Sequence, residues 1–308
     1  MQFPAETNLQ GAFVRQAYTI RDRITADGSS GFRAEPGRYH LYVSLACPWA
    51  HRAIIVRRLL GLEPVISMSV VDPIRDERGW AFREGPDHGR DPIGGFQFLS
   101  EAYLRTDPTF TGRYTVPCIW DRVTSRLVTN NYPDITIDFE TQFTAYHRPD
   151  APDLYPQALR ATIDEINAVV YEDVNNGVYK AGFAASQPAY EAAVVPLFRR
   201  LDWLDERLAG QRYLAGDQVT EADIRLFTTL VRFDAVYFGH FKCNLRRIVD
   251  YQNLWGYARD LFQRPGFGET VNFDHIKRHY YMTHEQLNPT RIVPMGPIVD
   301  WHAPHGRS

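Results

Sequence analysis

Tyr39-His40-Leu41-Tyr42-Val43, then Ser44-Leu45-Ala46-Cys47-Pro48-Trp49-Ala50-His51-Arg52, then Ala53-Ile54-Ile55-Val56-Arg57-Arg58-Leu59-Leu60 before Gly61, read as strand, turn and helix. A proline suits the first helical position because no intrahelical partner awaits its missing N–H. The cysteine before it therefore sits where unpaired backbone N–H groups converge. That field favours an anion, hence thiolate over thiol, and marks Cys47 as a nucleophile to which other residues bring a sulfur compound.

Working outward, Val65-Ile66-Ser67-Met68-Ser69-Val70-Val71 supplies a second strand and completes a βαβ unit with a parallel pair. Residues 72–113 break the pattern with six glycines and four prolines, and read as a long inserted loop threaded with Trp80, Phe82, Phe96, Phe98, Tyr103 and Phe110. Loops this long inside compact domains are often functional. Thr115-Val116-Pro117-Cys118-Ile119-Trp120, a turn at 121–125 and Leu127-Val128-Thr129 read as a hairpin, in which Pro117 costs a ladder hydrogen bond. A helix is expected over Asp134–Phe143, a linker over 144–156, and helices over Gln157–Asn175, Pro188–Ala209, Thr220–Phe238, Leu245–Phe262 and Glu269–Tyr281. Residues 1–38 read as an N-terminal arm, packed or partly mobile. The expected organisation is that arm, an α/β domain over 39–143, the linker, and an all-α domain over 157–308 with an extended tail.

Composition limits the partners. A chain of 308 residues with 44% hydrophobic and 23% charged residues is an ordinary globular sequence long enough for two domains. A net charge of -3 gives no reason to expect nucleic acid or an acidic membrane surface. No apolar run approaches about 18 residues and no signal-like segment opens the chain, so cytoplasm is the default compartment. Cys47, Cys118 and Cys243 are too scattered for a disulfide framework, and Ala50 stands where a Cys-x-x-Cys pair would have its second thiol. Of 34 basic side chains only Lys180, Lys242 and Lys277 are lysine, a composition that fits a GC-rich genome. No metal-ligand spacing is present; His275, His279 and His284 cluster late but match no zinc motif and read as solvated surface residues.

A strand, a Cys-Pro helix start, a Val-Pro before a hairpin and a helical second domain resemble the glutathione transferase architecture, a thioredoxin-like domain joined to an all-α domain. Thr220-Glu221-Ala222-Asp223 is similar to that superfamily's structural N-capping box. More narrowly, Cys47 to Arg52, Gly79-Trp80, Thr115-Val116-Pro117, Asn175 to Ala184, Tyr237 to Asn244, His279-Tyr280-Tyr281 and Asn288 to Pro294 resemble the xi class, the glutathionyl-hydroquinone reductases. The tail over Asn288–Pro297 is then expected to be extended and packed back over the body.

The resemblance implies an enzyme whose partners are a small-molecule thiol and a quinol conjugate, and a homodimer through the helical domain. It makes Cys47 the catalytic thiol. It makes Val116, before a cis-proline at Pro117, the backbone partner of the bound thiol, and Trp80 a ring packed on it; anchoring of the insertion is the competing reading for Trp80. Arg113 is a candidate for a carboxylate or similar anion. Tyr179, Tyr237 and one of Tyr280 or Tyr281 fall where the family carries tyrosines around its quinol. His240 and Lys242 are given positioning roles, and Cys118 and Cys243 core roles. One departure stands out. The family usually carries Glu-Ser after the hairpin to hold the γ-glutamyl end of glutathione, whereas Asn131 and Tyr132 occupy those positions here. Either Asp134 or another group takes the ammonium, or the thiol lacks a γ-glutamyl group, as mycothiol does. Two other functions remain open: an omega-like thiol transferase or dehydroascorbate-type reductase, and a non-catalytic ligand-binding protein of the same fold.

Overall fold

The structure, a computed structural model, describes residues 6–307. Two compact units divide them: residues 16–152 with 274–279, and residues 153–273 with 280–307 and those up to Arg15.

In the first unit, β1 (Tyr39–Val43) is buried along its whole length: four of its positions are apolar or aromatic, and the fifth, His40, bonds the Ser67 and Ser69 hydroxyls. It pairs in parallel with β2 (Ser67–Val70) and antiparallel with β3 (Cys118–Asp121), which forms a hairpin with β4 (Arg126–Thr129). The strand order is β2-β1-β3-β4. Helix α1 (Pro48–Leu59) carries Ala50, Ala53, Ile55 and Val56 at zero exposure, each larger side chain contributing about 1.5–3 kcal/mol by burial. Helix α3 is Tyr132–Thr141, starting two residues before the expected position because Pro133 is accommodated in its first turn.

The inserted segment is not a continuous loop. It holds helix α2, Leu99–Thr106, which buries Leu99, Ala102 and Tyr103. Its start is fixed by Glu101, whose Oε1 accepts from the N–H groups of Gln97 (3.1 Å) and Phe98 (2.9 Å). Asp91 ties the glycine-rich part to β1: its carboxylate accepts from the backbone of Ile93, Gly94 and Phe96 and from the Tyr42 hydroxyl. Pro117 does not interrupt a strand, because β3 begins one residue after it. The arm from residue 16 onward is pinned, with Ile24 1% exposed and Arg23 paired to the buried Asp138.

The second unit is helical: α4 (Arg160–Val170), α5 (Gly177–Gly182), α6 (Gln187–Ala209), α7 (Glu221–Arg232) and α8 (Gln252–Gln263). Helix α9 (Phe273–Thr283) contributes residues to both units. Wide π-helical turns follow α4, at Tyr171–Asn175, and α7, at Phe233–Tyr237. Helix α7 starts at the expected residue because the fully buried Asp223 accepts from the Thr220 N–H (2.8 Å) and hydroxyl (3.1 Å), the Leu214 N–H and the Tyr257 hydroxyl. Helix α8 begins later than Leu245, which is 66% exposed; its first N–H groups, from Asn253 and Leu254, are held by Asp205 of α6. The tail over 288–297 is extended but largely exposed, with Met295 at 99%. Its attachment lies further on, where Trp301 packs on Phe262 and Trp255 and Arg307 donates to the carbonyls of Leu208, Gln211 and Arg212. Among the described residues no helix is long and apolar enough to cross a membrane.

Candidate active site

Cys47 is the N-cap of α1, 9% exposed, with extended backbone angles and Pro48 directly after it. Its N–H donates to Ser44 O (3.1 Å) and its carbonyl accepts from His51 (3.0 Å), so the residue is locked between the turn and the first helical turn. Its Sγ donates to the Val116 carbonyl at 3.4 Å. The Val116–Pro117 bond is cis. The predicted nucleophile and the predicted backbone-pairing residue therefore meet, although they are 69 positions apart.

Trp49 packs against Tyr132 at 4.6 Å, and the buried Arg52 guanidinium sits 4.7 Å over Trp49 and 5.2 Å over Tyr132. Arg52 thus fixes a positive charge one helical turn along from Cys47. Asn131 is the N-cap of α3; its Nδ2 donates to Asp134 at 2.5 Å, and Asp134 also lies 3.6 Å from Arg23. Arg113 is half-buried in the segment leading to Val116.

Trp80 is 4% exposed, stacked on His279 (5.0 Å, 18°), with the Arg75 guanidinium 4.9 Å from its ring. Here the expectation for the late histidines fails. His275, His279 and His284 are 1%, 7% and 7% exposed, not solvated. His279 Nδ1 bonds the carbonyl of the buried Pro73 (2.6 Å) and His275 Nε2 that of the exposed Pro86 (2.8 Å), so α9 supplies a polar partner for an insertion carbonyl that burial would otherwise strand, and a second tie to the insertion.

In the second unit the phenols form a chain. Tyr280 is its hub, 2.5 Å from the Tyr179 hydroxyl and 3.0 Å from that of Tyr237. Tyr281 takes no part in it; its hydroxyl donates to the Ala235 carbonyl and its ring abuts His240. Burial pushes Tyr237 and Tyr280 well above the usual phenol range, and the Arg232 guanidinium opposes that push on both. Both are held as neutral phenols. His240, against His284 at 3.2 Å, is lowered to about 4 by burial and by Lys242. Lys242 is exposed, and its carbonyl accepts from Tyr190. Cys118 and Cys243 are fully buried, and desolvation pushes both thiols up.

Residues 187–260 match the glutathione S-transferase C-terminal domain family. The glutathionyl-hydroquinone reductase YqjG of Escherichia coli is 52% identical over 304 residues, spanning 96% of this chain and 92% of that protein. The chain belongs to the glutathionyl-hydroquinone reductases, the Xi-class glutathione transferases. The solved Xi-class transferase of Phanerochaete chrysosporium superposes with a TM-score of 0.92 at 51% identity, covering 95% of each chain. The glutathione-bound structure of YqjG gives 0.91 at 52% identity, covering 94% of this chain and 96% of that one. The thioredoxin-like unit and the helical unit are those of this Xi-class family.

Sequence reasoning missed one contact in this region. Arg15 stacks 5.0 Å over the Tyr179 ring, and its Nε donates to Asn176 Oδ1 at 2.9 Å. No local pattern in residues 6–15 signals this.

Proposed function

We propose that the chain reductively removes glutathione from glutathionyl-hydroquinones through a mixed disulfide on Cys47. The thiolate attacks the glutathionyl sulfur. An S–S bond forms as the aryl C–S bond breaks, and the ring carbon takes the electron pair and a proton, leaving as free hydroquinone. A second glutathione thiolate then attacks the mixed disulfide, which returns Cys47 as thiolate and releases glutathione disulfide. The sulfur is oxidised and the ring carbon reduced, so no further redox partner is required. A lone thiol suits this scheme, because an adjacent one would intercept the intermediate.

The observation that carries the reading is Cys47 at the start of α1 with Sγ against the Val116 carbonyl, in a chain 52% identical to a glutathionyl-hydroquinone reductase. Val116 backbone groups and Trp80, with Arg113, Asn131 and Tyr132, are assigned to the thiol. Tyr179, Tyr237 and Tyr280 are assigned to the hydroquinone, as hydrogen-bond partners and proton source; Tyr281 is left a supporting place. The homodimer and the cytoplasmic location belong to the same proposal.

Asn131 favours a second reading of the thiol alone. Where a carboxylate would grip an ammonium it offers a neutral amide, a difference of about 1.5–3 kcal/mol, or roughly ten- to a hundredfold in affinity. A thiol without the γ-glutamyl group, such as mycothiol, loses nothing there. One experiment addresses both. Glutathionyl- and mycothiyl-hydroquinone are each supplied with the matching thiol, free hydroquinone is followed by chromatography, and the Cys47 adduct is weighed by mass spectrometry. Turnover with glutathione alone removes the mycothiol reading; no hydroquinone from either conjugate removes the proposed reaction.

A further inference from the structure

Residues 6–15 form a small docked arm in the second unit. Thr7 and Phe13 bridge, and Val14 N donates to Glu6 O at 2.7 Å. The loop of this arm is held by Ala185 N to Gly11 O (2.8 Å) and Ser186 Oγ to Gln10 O (2.8 Å). Gly11 has φ +81°, and a Cβ there would meet Ser186 Oγ at 3.0 Å, so the close approach needs glycine. Phe13 packs on Phe183 at 5.6 Å.

This anchoring delivers Arg15. Its Nε–Asn176 bond sets the guanidinium, while Asn176 itself accepts the N–H groups of Tyr179 (3.0 Å) and Lys180 (2.9 Å) at the start of α5. The guanidinium centre lies 5.0 Å from the Tyr179 ring centroid, within the range at which a cation and an aromatic face attract. Tyr179 is 9% exposed and its hydroxyl is bonded to Tyr280. Arg15 is half-buried, with its Nη2 buried, so its charge is less screened than on an open surface.

We propose that Arg15, carried by the N-terminal arm, is a positioning residue for the hydroquinone step. It fixes the Tyr179 ring and steadies the negative charge left on the phenol chain when that chain gives a proton to the departing ring carbon. The inference rests on the assignment of Tyr179, Tyr237 and Tyr280 to the hydroquinone. It predicts a selective defect. Attack on a glutathionyl disulfide leaves a thiolate and needs no proton on carbon, so that reaction does not use Arg15.

The test compares kcat and KM of the full chain on a glutathionyl-hydroquinone and on the mixed disulfide of glutathione with 2-mercaptoethanol, for Arg15→Ala, Arg15→Met, Arg15→Lys and Tyr179→Phe. Arg15→Ala and Arg15→Met are expected to lower kcat on the quinol conjugate by about tenfold and to change the disulfide rate by less than about twofold. Arg15→Lys, which keeps a cation for the ring, recovers most of the loss. Equal losses on both substrates, or Arg15→Lys no better than Arg15→Met, would make the residue a packing element and overturn the inference. A quinol rate that falls in Tyr179→Phe but in no Arg15 variant also overturns it. An unchanged quinol rate in Tyr179→Phe instead overturns the assignment of the phenols on which it rests.

Discussion

Three cysteines in one chain separate by environment. Cys118 and Cys243 have zero exposure, and burial pushes their thiols up, outweighing the opposing effects of Tyr103 on Cys118 and of Lys242 on Cys243. Cys47 stands at a helix start, where first-turn N–H groups lack intrahelical partners. Iodoacetamide on the native protein is therefore expected to modify Cys47 and spare the other two until denaturant is added, with peptide mass spectrometry as the readout. Cys47→Ala should abolish hydroquinone release, and Cys47→Ser should leave less than about a thousandth of it, since a hydroxyl is rarely ionised near neutral pH. Measurable turnover in Cys47→Ala would end the mixed-disulfide mechanism. The Cys47 environment was legible because strand, proline and helix are contiguous in sequence. Tyr280 and Tyr281 were not separable in the same way, since adjacent helical residues point about 100° apart and only the rotation of α9 decides which joins the phenols. The late histidines misled for the opposite reason. Their polarity suggests solvent, whereas His275 and His279 meet carbonyls of Pro86 and Pro73, some two hundred positions away, and His284 meets His240.

Elements were readable where their signals were local and long. Helix α1 and the box opening α7 follow from spacing and caps. Helix α2 has eight residues among glycines and prolines, too short for its Leu99, Ala102 and Tyr103 pattern to stand out. The π-helical turns also left no signal. Each widens its helix by about one residue per turn and so re-aims the side chains beyond it. Tyr237 closes one such turn and Tyr179 lies just beyond the other, which is how phenols from two helices reach one hub. The α7 box carries a stability prediction. Asp223→Ala strands four donors in a site of zero exposure. The expected cost is about 3 kcal/mol or more, seen as a fall of about 5–10 °C in melting midpoint. Thr220→Ala removes only one of those donors' side chains and should cost about 1 kcal/mol. Equal effects from the two would mean that the carboxylate is not the centre of the box.

Across the whole molecule, each unit buries a histidine that folding keeps neutral. In the first, His40 is 1% exposed between Ser67 Oγ (2.7 Å) and Ser69 Oγ (2.9 Å), bridging β1 to β2, and desolvation lowers it to about 4. In the second, His240 is lowered to about 4 as well. The unfolded chain binds these protons near the ordinary value of 6.5, so between 6.5 and about 4 the unfolded state holds more protons than the native one. Stability from both residues is fully present above pH 6.5 and is lost as the pH falls toward 4, by about 3 kcal/mol for each. Melting midpoints should therefore decline from pH 6.5 downward, starting above the range in which ordinary carboxylates titrate. His40→Gln keeps hydrogen-bonding groups between the two serines but has no proton to take up. Its midpoint should fall less steeply over the same window, whatever its value at pH 7. A midpoint flat from pH 7 to 4.5 in the unmodified protein, or an identical slope in His40→Gln, would show that these buried rings do not set the acid limit of the fold.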